Sequence, residues 1–343
     1  MKNFWKEKKV FITGINGFVG SNLAKTLIKK GASVYGLMRN DNPHSFLYFE
    51  KLNKKVTLIN GDITDLHLLK RVFIEEEIEH VFHLAAQVEV GKALEYPYLT
   101  WESNIRGTYT LLETIRQVKK NIQSVVIASS DKAYGTYPIE QLPYKESYPL
   151  IPDYPYDVSK ACGDLIAQSY CKNSFKLPII ITRFANIYGP GQLNFSALIP
   201  DCIRSALGYS IFKPRTNGNH YRDFLYISDV VDLYLLMAER ISGSKDLRGE
   251  IFNAGSNDPI NIKSLIMKIF QLVMSEKSYI DFKRNVIFPK SESLGEILFQ
   301  QMDFQKVSKS FEWKPATCID KGLELSIDWY RKYLQNKNCF SQL

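Results

Sequence analysis

Residues 9–20 read KVFITGINGFVG. Lys9-Val-Phe-Ile-Thr13 is a short apolar run rich in β-branched and aromatic side chains, the pattern of a buried strand. It ends in Gly14-Ile-Asn-Gly17-Phe-Val-Gly20, after which Leu23, Leu27 and Ile28 recur at helical spacing. Strand, glycine-rich turn and helix in that order form a cradle for a pyrophosphate. Gly14 permits the tight turn, Gly17 lets the backbone approach the phosphates, Gly20 allows close helix packing, and the helix N-terminus favours negative charge. The spacing is GxxGxxG.

Further strands follow at regular intervals. Ser33–Met38 is the second, and it ends at Met38-Arg39 with no carboxylate for a ribose 2′-hydroxyl and one guanidinium that suits a 2′-phosphate. Val56–Ile59 is the third, with Gly61-Asp62-Ile63 at its polar end and Asp62 placed to meet an adenine edge. His80–Ala86 is the fourth, and its terminal small residues give a nicotinamide ribose room to pass. His83 is expected to pack within this strand, because no second ligand accompanies it at metal spacing. Tyr98–Val118 reads as one long helix carrying Asn104. Strands alternating with helices over this length predict an α/β fold with a parallel, doubly wound sheet.

The next strand opens residues 125–160, VVIASSDKAYGTYPIEQLPYKESYPLIPDYPYDVSK. It stops abruptly in Ser129, Ser130, Asp131 and Lys132, at the carboxyl edge where such sheets place their chemistry. Tyr156-Asp-Val-Ser-Lys160 then begins a helix, and the spacing of four puts Tyr156 and Lys160 on one face. A tyrosine titrates near pH ~10 and needs a fixed cation to act as a base at neutrality, which Lys160 is placed to supply. In isolation Tyr-x-x-x-Lys is most often only an amphipathic face; the glycine turn and the polar strand end give it its meaning here.

At 343 residues the chain is long enough for a full α/β domain and a smaller lobe. Its five cysteines (Cys162, Cys171, Cys202, Cys318, Cys339) are scattered without a Cys-x-x-Cys pair, so neither a disulfide framework nor a metal site is suggested and a reducing compartment is expected. The longest apolar run before Gly14 is Val10–Ile12, too short for a signal-peptide core, so a cytoplasmic location is expected. No run approaches membrane-spanning length. The net charge of +8 comes from dispersed lysines without a nucleic-acid motif, so no nucleic-acid partner is expected. Pro178–Thr182 supplies one more buried strand, after which turn-formers increase. Lys213, Arg215, His220 and Arg222 gather around Asn217-Gly218 in what reads as a second lobe over the sheet's carboxyl edge. Ser275–Glu296 is the expected irregular insertion, and Asp320–Leu334 the closing helix.

Taken together, the chain resembles the extended short-chain dehydrogenase/reductase family, and within it the nucleotide-sugar dehydratases and epimerases. The resemblance rests on Thr13-Gly14-x-x-Gly17-Phe18-x-Gly20, Gly61-Asp62, His83-Leu-Ala-Ala86, Asn104-x-x-Gly107-Thr108, Ser129-Ser130, Tyr156-x-x-x-Lys160, Arg183-x-x-Asn186-x-Tyr188-Gly189-Pro190, Arg222-Asp223-Phe224 and Phe252-Asn253-x-Gly255. It implies a Rossmann-type NAD(P)-binding domain over residues 1–182, with later contributions near 228–255, and a mainly substrate-binding lobe over 183–343. It implies NAD(P)+ held by Gly14, Asn16, Gly17, Phe18, Val19, Gly20, Arg39, Asp62, Ile63, Leu84, Ala85, Ala86, Asn104, Tyr156 and Lys160. Tyr156 is expected to take the sugar 4-hydroxyl proton, Lys160 to hold the cofactor ribose and lower the tyrosine pKa, and Ser130 to bond the same hydroxyl. Gln87, Asn186, Lys213, Arg215 and Arg222 are expected to bind a nucleotide-diphosphate sugar, Arg222 gripping its pyrophosphate. The family also implies a homodimer through the helices around Tyr98–Val118 and Tyr156–Lys172.

Family epimerases tend to carry small residues after the serine, whereas 4,6-dehydratases carry an acid, followed by glutamate in dTDP-glucose enzymes or lysine in CDP-glucose enzymes. Ser130-Asp131-Lys132 is similar to the CDP-glucose version, with Asp131 as proton donor to the departing 6-hydroxyl and Lys132 as base at C5. The Arg39 region is more like that of the NADP-using GDP-mannose 4,6-dehydratases. An NDP-sugar 4-epimerase and a non-catalytic dinucleotide-binding module are the competing readings.

Overall fold

The computed structural model describes residues 3–336 apart from 119–120, 172–174, 275–281, 283 and 291–296. Six strands of the main sheet are β1 (Lys9–Thr13), β2 (Ser33–Met38), β3 (Thr57–Asn60), β4 (His80–His83), β5 (Ser124–Ala128) and β6 (Ile179–Phe184). The strand Ile251–Ala254 joins beside β6. Every pairing in this seven-stranded sheet is parallel, in the order Ile251–Ala254, β6, β5, β4, β1, β2, β3. The order reverses between β1 and β4, which opens a crevice at the carboxyl edge there.

The continuous apolar runs follow from burial on both faces. Side chains alternate along a strand, so Val126 and Ile180 face one core with Leu23 and Leu27, while Val125, Ile127, Ile179 and Ile181 face another with Leu111, Leu112 and Ile115. The helix Phe18–Lys29 follows β1 and shares the first core with the helix Ile227–Gly243. Two short pairs lie outside the sheet: Asn186–Tyr188 runs parallel to Phe224–Tyr226, and Ile260–Asn261 runs antiparallel to Tyr221–Arg222.

The sequence-based bounds of β1 and β2 match the structure, and the closing helix extends over Ile319–Gln335. The fourth strand is shorter than expected, because Leu84–Ala86 leave the sheet to line the crevice. The expected helix Tyr98–Val118 is Pro97–Trp101, one π-helical turn over Glu102–Arg106, and Gly107–Val118. Residues 275–296 lie largely outside the described residues. Among the described residues no helix is long and apolar enough to cross a membrane.

The closing helix binds the segment after β2, where Trp329 and Tyr333 pack on Phe46 and Phe49 and the Tyr333 hydroxyl donates to the His44 carbonyl at 2.9 Å. Under the carboxyl edge, the buried Arg183 guanidinium donates to both oxygens of Asp164 at 2.7 and 3.0 Å. Removing one partner of such a pair costs about 3–5 kcal/mol, because the other charge is left buried alone.

Candidate active site

A cavity of ≈ 890 Å³ runs along the carboxyl edge from the glycine turn to Lys213, Arg215 and Arg222. Its floor at one end is Gly14, Asn16, Gly17, Phe18, Val19 and Gly20. Gly14 has φ +70°, and a Cβ on Gly20 would stand 2.3 Å from the Gly14 carbonyl oxygen, so the turn admits no side chain there. Gly17 caps the following helix without a side-chain hydrogen bond, and the first turn carries no acid. Backbone N–H groups are therefore left to face the cavity, which fits the pyrophosphate of a dinucleotide.

The loop beyond β4 is fixed by a chain of hydroxyls and one imidazole. Thr108 Oγ1 donates to the Asn104 carbonyl at 2.6 Å, so its lone pair is left for His83 Nε2, 2.9 Å away. His83 Nδ1 then accepts from Thr13 Oγ1 at 2.9 Å, and that oxygen accepts the Leu84 and Ala85 N–H groups at 3.0 Å each. Burial lowers the His83 pKa to about 3, so the ring is neutral at physiological pH, a packed strand residue as its sequence context implied. Asn104, displaced by the π turn, accepts from the Gln87 N–H at 2.7 Å and donates to the Gln87 carbonyl at 3.0 Å and to Ser159 Oγ at 2.9 Å. It lines a small pocket with Ala85 beneath the main cavity.

At the end of β5, Ser130 Oγ donates to Asp131 Oδ1 at 2.9 Å, and the Lys132 N–H donates to the same oxygen at 2.8 Å. Asp131 Oδ2 is buried without a hydrogen-bond partner among the described residues. Burial raises the Asp131 pKa, against the opposing pull of the Lys132 charge, the Ser130 hydroxyl, the Lys132 N–H and, more distantly, Arg222. Tyr156 stands on the first turn of the helix Pro155–Cys171. Its phenol is pushed well above the usual range by burial first and by Asp131 second, while a hydrogen bond with Ser130 works the other way. Asp157, also buried, is raised to about 6 by burial.

Lys160 Nζ donates to the Ala128 carbonyl at 2.9 Å, and burial lowers its pKa to about 8. The expected depression of the Tyr156 pKa by Lys160 is absent here: the ammonium is drawn back to the strand end, and the dominant influences on the phenol raise it. Leu84, Ala86, Ser130, Asp131, Lys132, Tyr156, Lys160, Asn186, Lys213, Arg215 and Arg222 all line the main cavity, so residues from distant parts of the chain converge as the sequence suggested. Arg222 is buried, its guanidinium donating to the Tyr221 and Ile297 carbonyls.

Four residues expected at the site are not among those lining this cavity or the small pocket beneath it. Gln87 turns its amide onto its own loop, bonding the Glu89 N–H at 2.6 Å and carbonyl at 3.0 Å. Ile63 is buried against Gly107. Asp62 accepts from the Thr64 N–H and hydroxyl at 2.9 and 2.8 Å. Burial resists its ionisation, yet those bonds and the charges of Arg39 and Arg106 more than offset it, so its pKa falls. The Arg39 charge acts on Asp62 only electrostatically, and Arg39 is not among the residues lining the cavity. Sequence reasoning missed Thr13 as the loop's anchor, Asp157, and Gln300, which enters the cavity wall from the far end of the chain.

A family model described as GDP-mannose 4,6 dehydratase matches residues 11–325. CDP-glucose 4,6-dehydratase of Salmonella typhimurium is 30% identical over 98% of this chain and 94% of its own length. UDP-glucuronate 4-epimerase 2 of Arabidopsis thaliana is 31% identical over 94% of this chain and 76% of its own. The solved dTDP-glucose 4,6-dehydratase DesIV of Streptomyces venezuelae, with NAD bound, superposes with a TM-score of 0.82 at 25% identity, covering 94% of this chain and 97% of that one. With a match across nearly all of its length and the glycine cradle, Ser130, Tyr156 and Lys160 gathered on one sheet edge, the chain belongs to the GDP-mannose 4,6 dehydratase family.

Proposed function

We propose that the protein is a nucleotide-diphosphate-hexose 4,6-dehydratase, converting its substrate to the NDP-4-keto-6-deoxyhexose. The observation that carries this reading is Asp131: a buried acid with a raised pKa, its Oδ2 without a hydrogen-bond partner among the described residues, adjoining Ser130 and lining the same cavity as Tyr156. Oxidation at C4 has no need of such an acid. Elimination of water does, because the 6-hydroxyl must leave protonated.

Bound across the carboxyl edge, the nicotinamide would take the C4 hydride and return it to C6. Tyr156 takes the 4-hydroxyl proton, oriented by Ser130. Lys132 removes the C5 proton, made acidic by the adjacent ketone, Asp131 gives its proton to the departing oxygen, and Lys132 returns a proton to C5 as the hydride is added at C6. Because the Asp131 charge raises the Tyr156 pKa, a protonated Asp131 and an ionised Tyr156 favour one another. The proposed elimination uses the form with the proton on the acid.

Arg222, with Lys213 and Arg215 on the same cavity, is the candidate grip on the substrate pyrophosphate. NAD is the proposed cofactor, since the Streptomyces enzyme carries NAD and Arg39 does not line the cavity. A homodimer is proposed through exposed apolar side chains on the paired helices, among them Tyr98, Leu99, Tyr109 and Leu165. The activity is tested by incubating the purified protein with CDP-glucose, dTDP-glucose, GDP-mannose and UDP-glucose and weighing the products. Loss of one water supports dehydration, and an altered sugar of unchanged mass supports epimerisation.

A further inference from the structure

Gln300 lies in the cavity wall and is 1% exposed, yet neither its amide oxygen nor its amide nitrogen has a hydrogen-bond partner among the described residues. Its backbone is well held. The Tyr221 N–H donates to the Leu298 carbonyl at 2.9 Å and the Gln300 N–H to the Tyr221 carbonyl at 3.2 Å. Phe299 stacks on Tyr221 at 5.2 Å between ring centroids, so the alternation of an extended segment sends Gln300 to the opposite side, the side of the buried Arg222 and Met302. Gln300, Arg222 and Asp131 line the same cavity, and the Arg222 charge acts on Asp131 across it.

A buried amide with both ends unpaired destabilises the free protein, and a leucine of similar size would avoid that cost. We propose that Gln300 recognises the sugar of the substrate, its amide donating to and accepting from a hydroxyl on the hexose. A hydroxyl both donates and accepts, so it satisfies both ends of the amide. A phosphate oxygen only accepts; it would leave Oε1 unpaired and would pair better with the neighbouring guanidinium. The inference rests on the nucleotide-sugar reading above and adds the residue that distinguishes the hexose from the rest of the ligand.

The test compares wild type with Gln300→Leu, both loaded with cofactor, by calorimetric titration of CDP-glucose and dTDP-glucose against CDP and dTDP. The substitution is expected to weaken the glucose nucleotide that binds by about tenfold or more, the loss of two neutral hydrogen bonds, while leaving the matching diphosphate unchanged. Thermal stability of the free variant is expected to be equal or higher, since two unpaired groups are removed. Unchanged glucose-nucleotide affinity overturns the proposal, as does an equal loss for the diphosphate, which would assign the amide to base or phosphate. A variant that melts earlier yet binds normally overturns it in favour of a structural role. So does a wild type that binds neither glucose nucleotide more tightly than its diphosphate. Failure of the wild type to dehydrate any nucleotide sugar is a separate result, counting against the function and not against this residue alone.

Discussion

Asp131→Asn separates the two halves of the proposed reaction. Asparagine can keep the contacts made at Oδ1, where Ser130 Oγ and the Lys132 N–H approach at 2.9 and 2.8 Å, so the strand end should hold its shape. What changes is the position of Oδ2, where an amide can donate a hydrogen bond but cannot release a proton at neutral pH. Loss of a positioned general acid slows its step by about 10²- to 10⁴-fold, on the order of 3–5 kcal/mol in the barrier. The same substitution removes a negative charge that raises the Tyr156 pKa, so the ionised phenol becomes more accessible at neutral pH and the oxidation step should not slow. Rapid mixing with the substrate, followed by the absorbance of reduced nicotinamide, reads the oxidation; quenched samples weighed in parallel read the water loss. Reduced cofactor is expected to accumulate while elimination stalls. Elimination at the native rate, or a variant that reduces no cofactor, would refute the division of labour.

Three further outcomes follow from particular residues. Asp157 has its pKa raised from 3.8 to about 6, so the folded state holds this proton more tightly than the unfolded state. The stability it contributes is complete below pH ~4 and lost as pH rises towards 6, amounting to at most about 3 kcal/mol. Asp157→Asn should therefore match wild type near pH 4 and exceed it at pH 7 in chemical denaturation; an equal difference at both pH values would contradict this. Gly20→Ala forces a Cβ to within 2.3 Å of the Gly14 carbonyl, so the purified variant should carry little dinucleotide on extraction and melt earlier; native cofactor content would show that the turn tolerates the change. Leu165→Glu puts a charge on an exposed apolar helix face and is expected to yield a monomer by light scattering, where the wild type is expected to give a dimer.

The sheet was legible because burial on both faces writes itself into a strand as an unbroken apolar run, and β1, β5 and β6 carry such runs before a polar or glycine-rich stop. Tyr156 and Lys160 were legible because a helix fixes their spacing. The π turn at Glu102–Arg106 was not, since one extra residue hardly disturbs a 3.6-residue pattern over a long helix, yet it is what turns Asn104 onto the Gln87 backbone. The direction of Lys160 was also hidden, because the pull of the Ala128 carbonyl arises only once β5 and its following helix are packed. Arg39 read as a phosphate ligand until Asp62, 23 positions later, stood near it. Gln300 could not be placed from sequence at all, because only the pairing of its segment with Tyr221 carries it to the cavity.

The central claim is that Asp131 and Lys132 add elimination to an oxidation that Tyr156, Lys160 and cofactor perform. It is tested most directly by turning over the native substrate in deuterated water and determining the mass and deuterium content of the sugar product. The account predicts a product lighter by one water, with a keto group at C4 and one solvent deuteron at C5. A product of unchanged skeleton mass, inverted at C4 and without deuterium at C5, would contradict it.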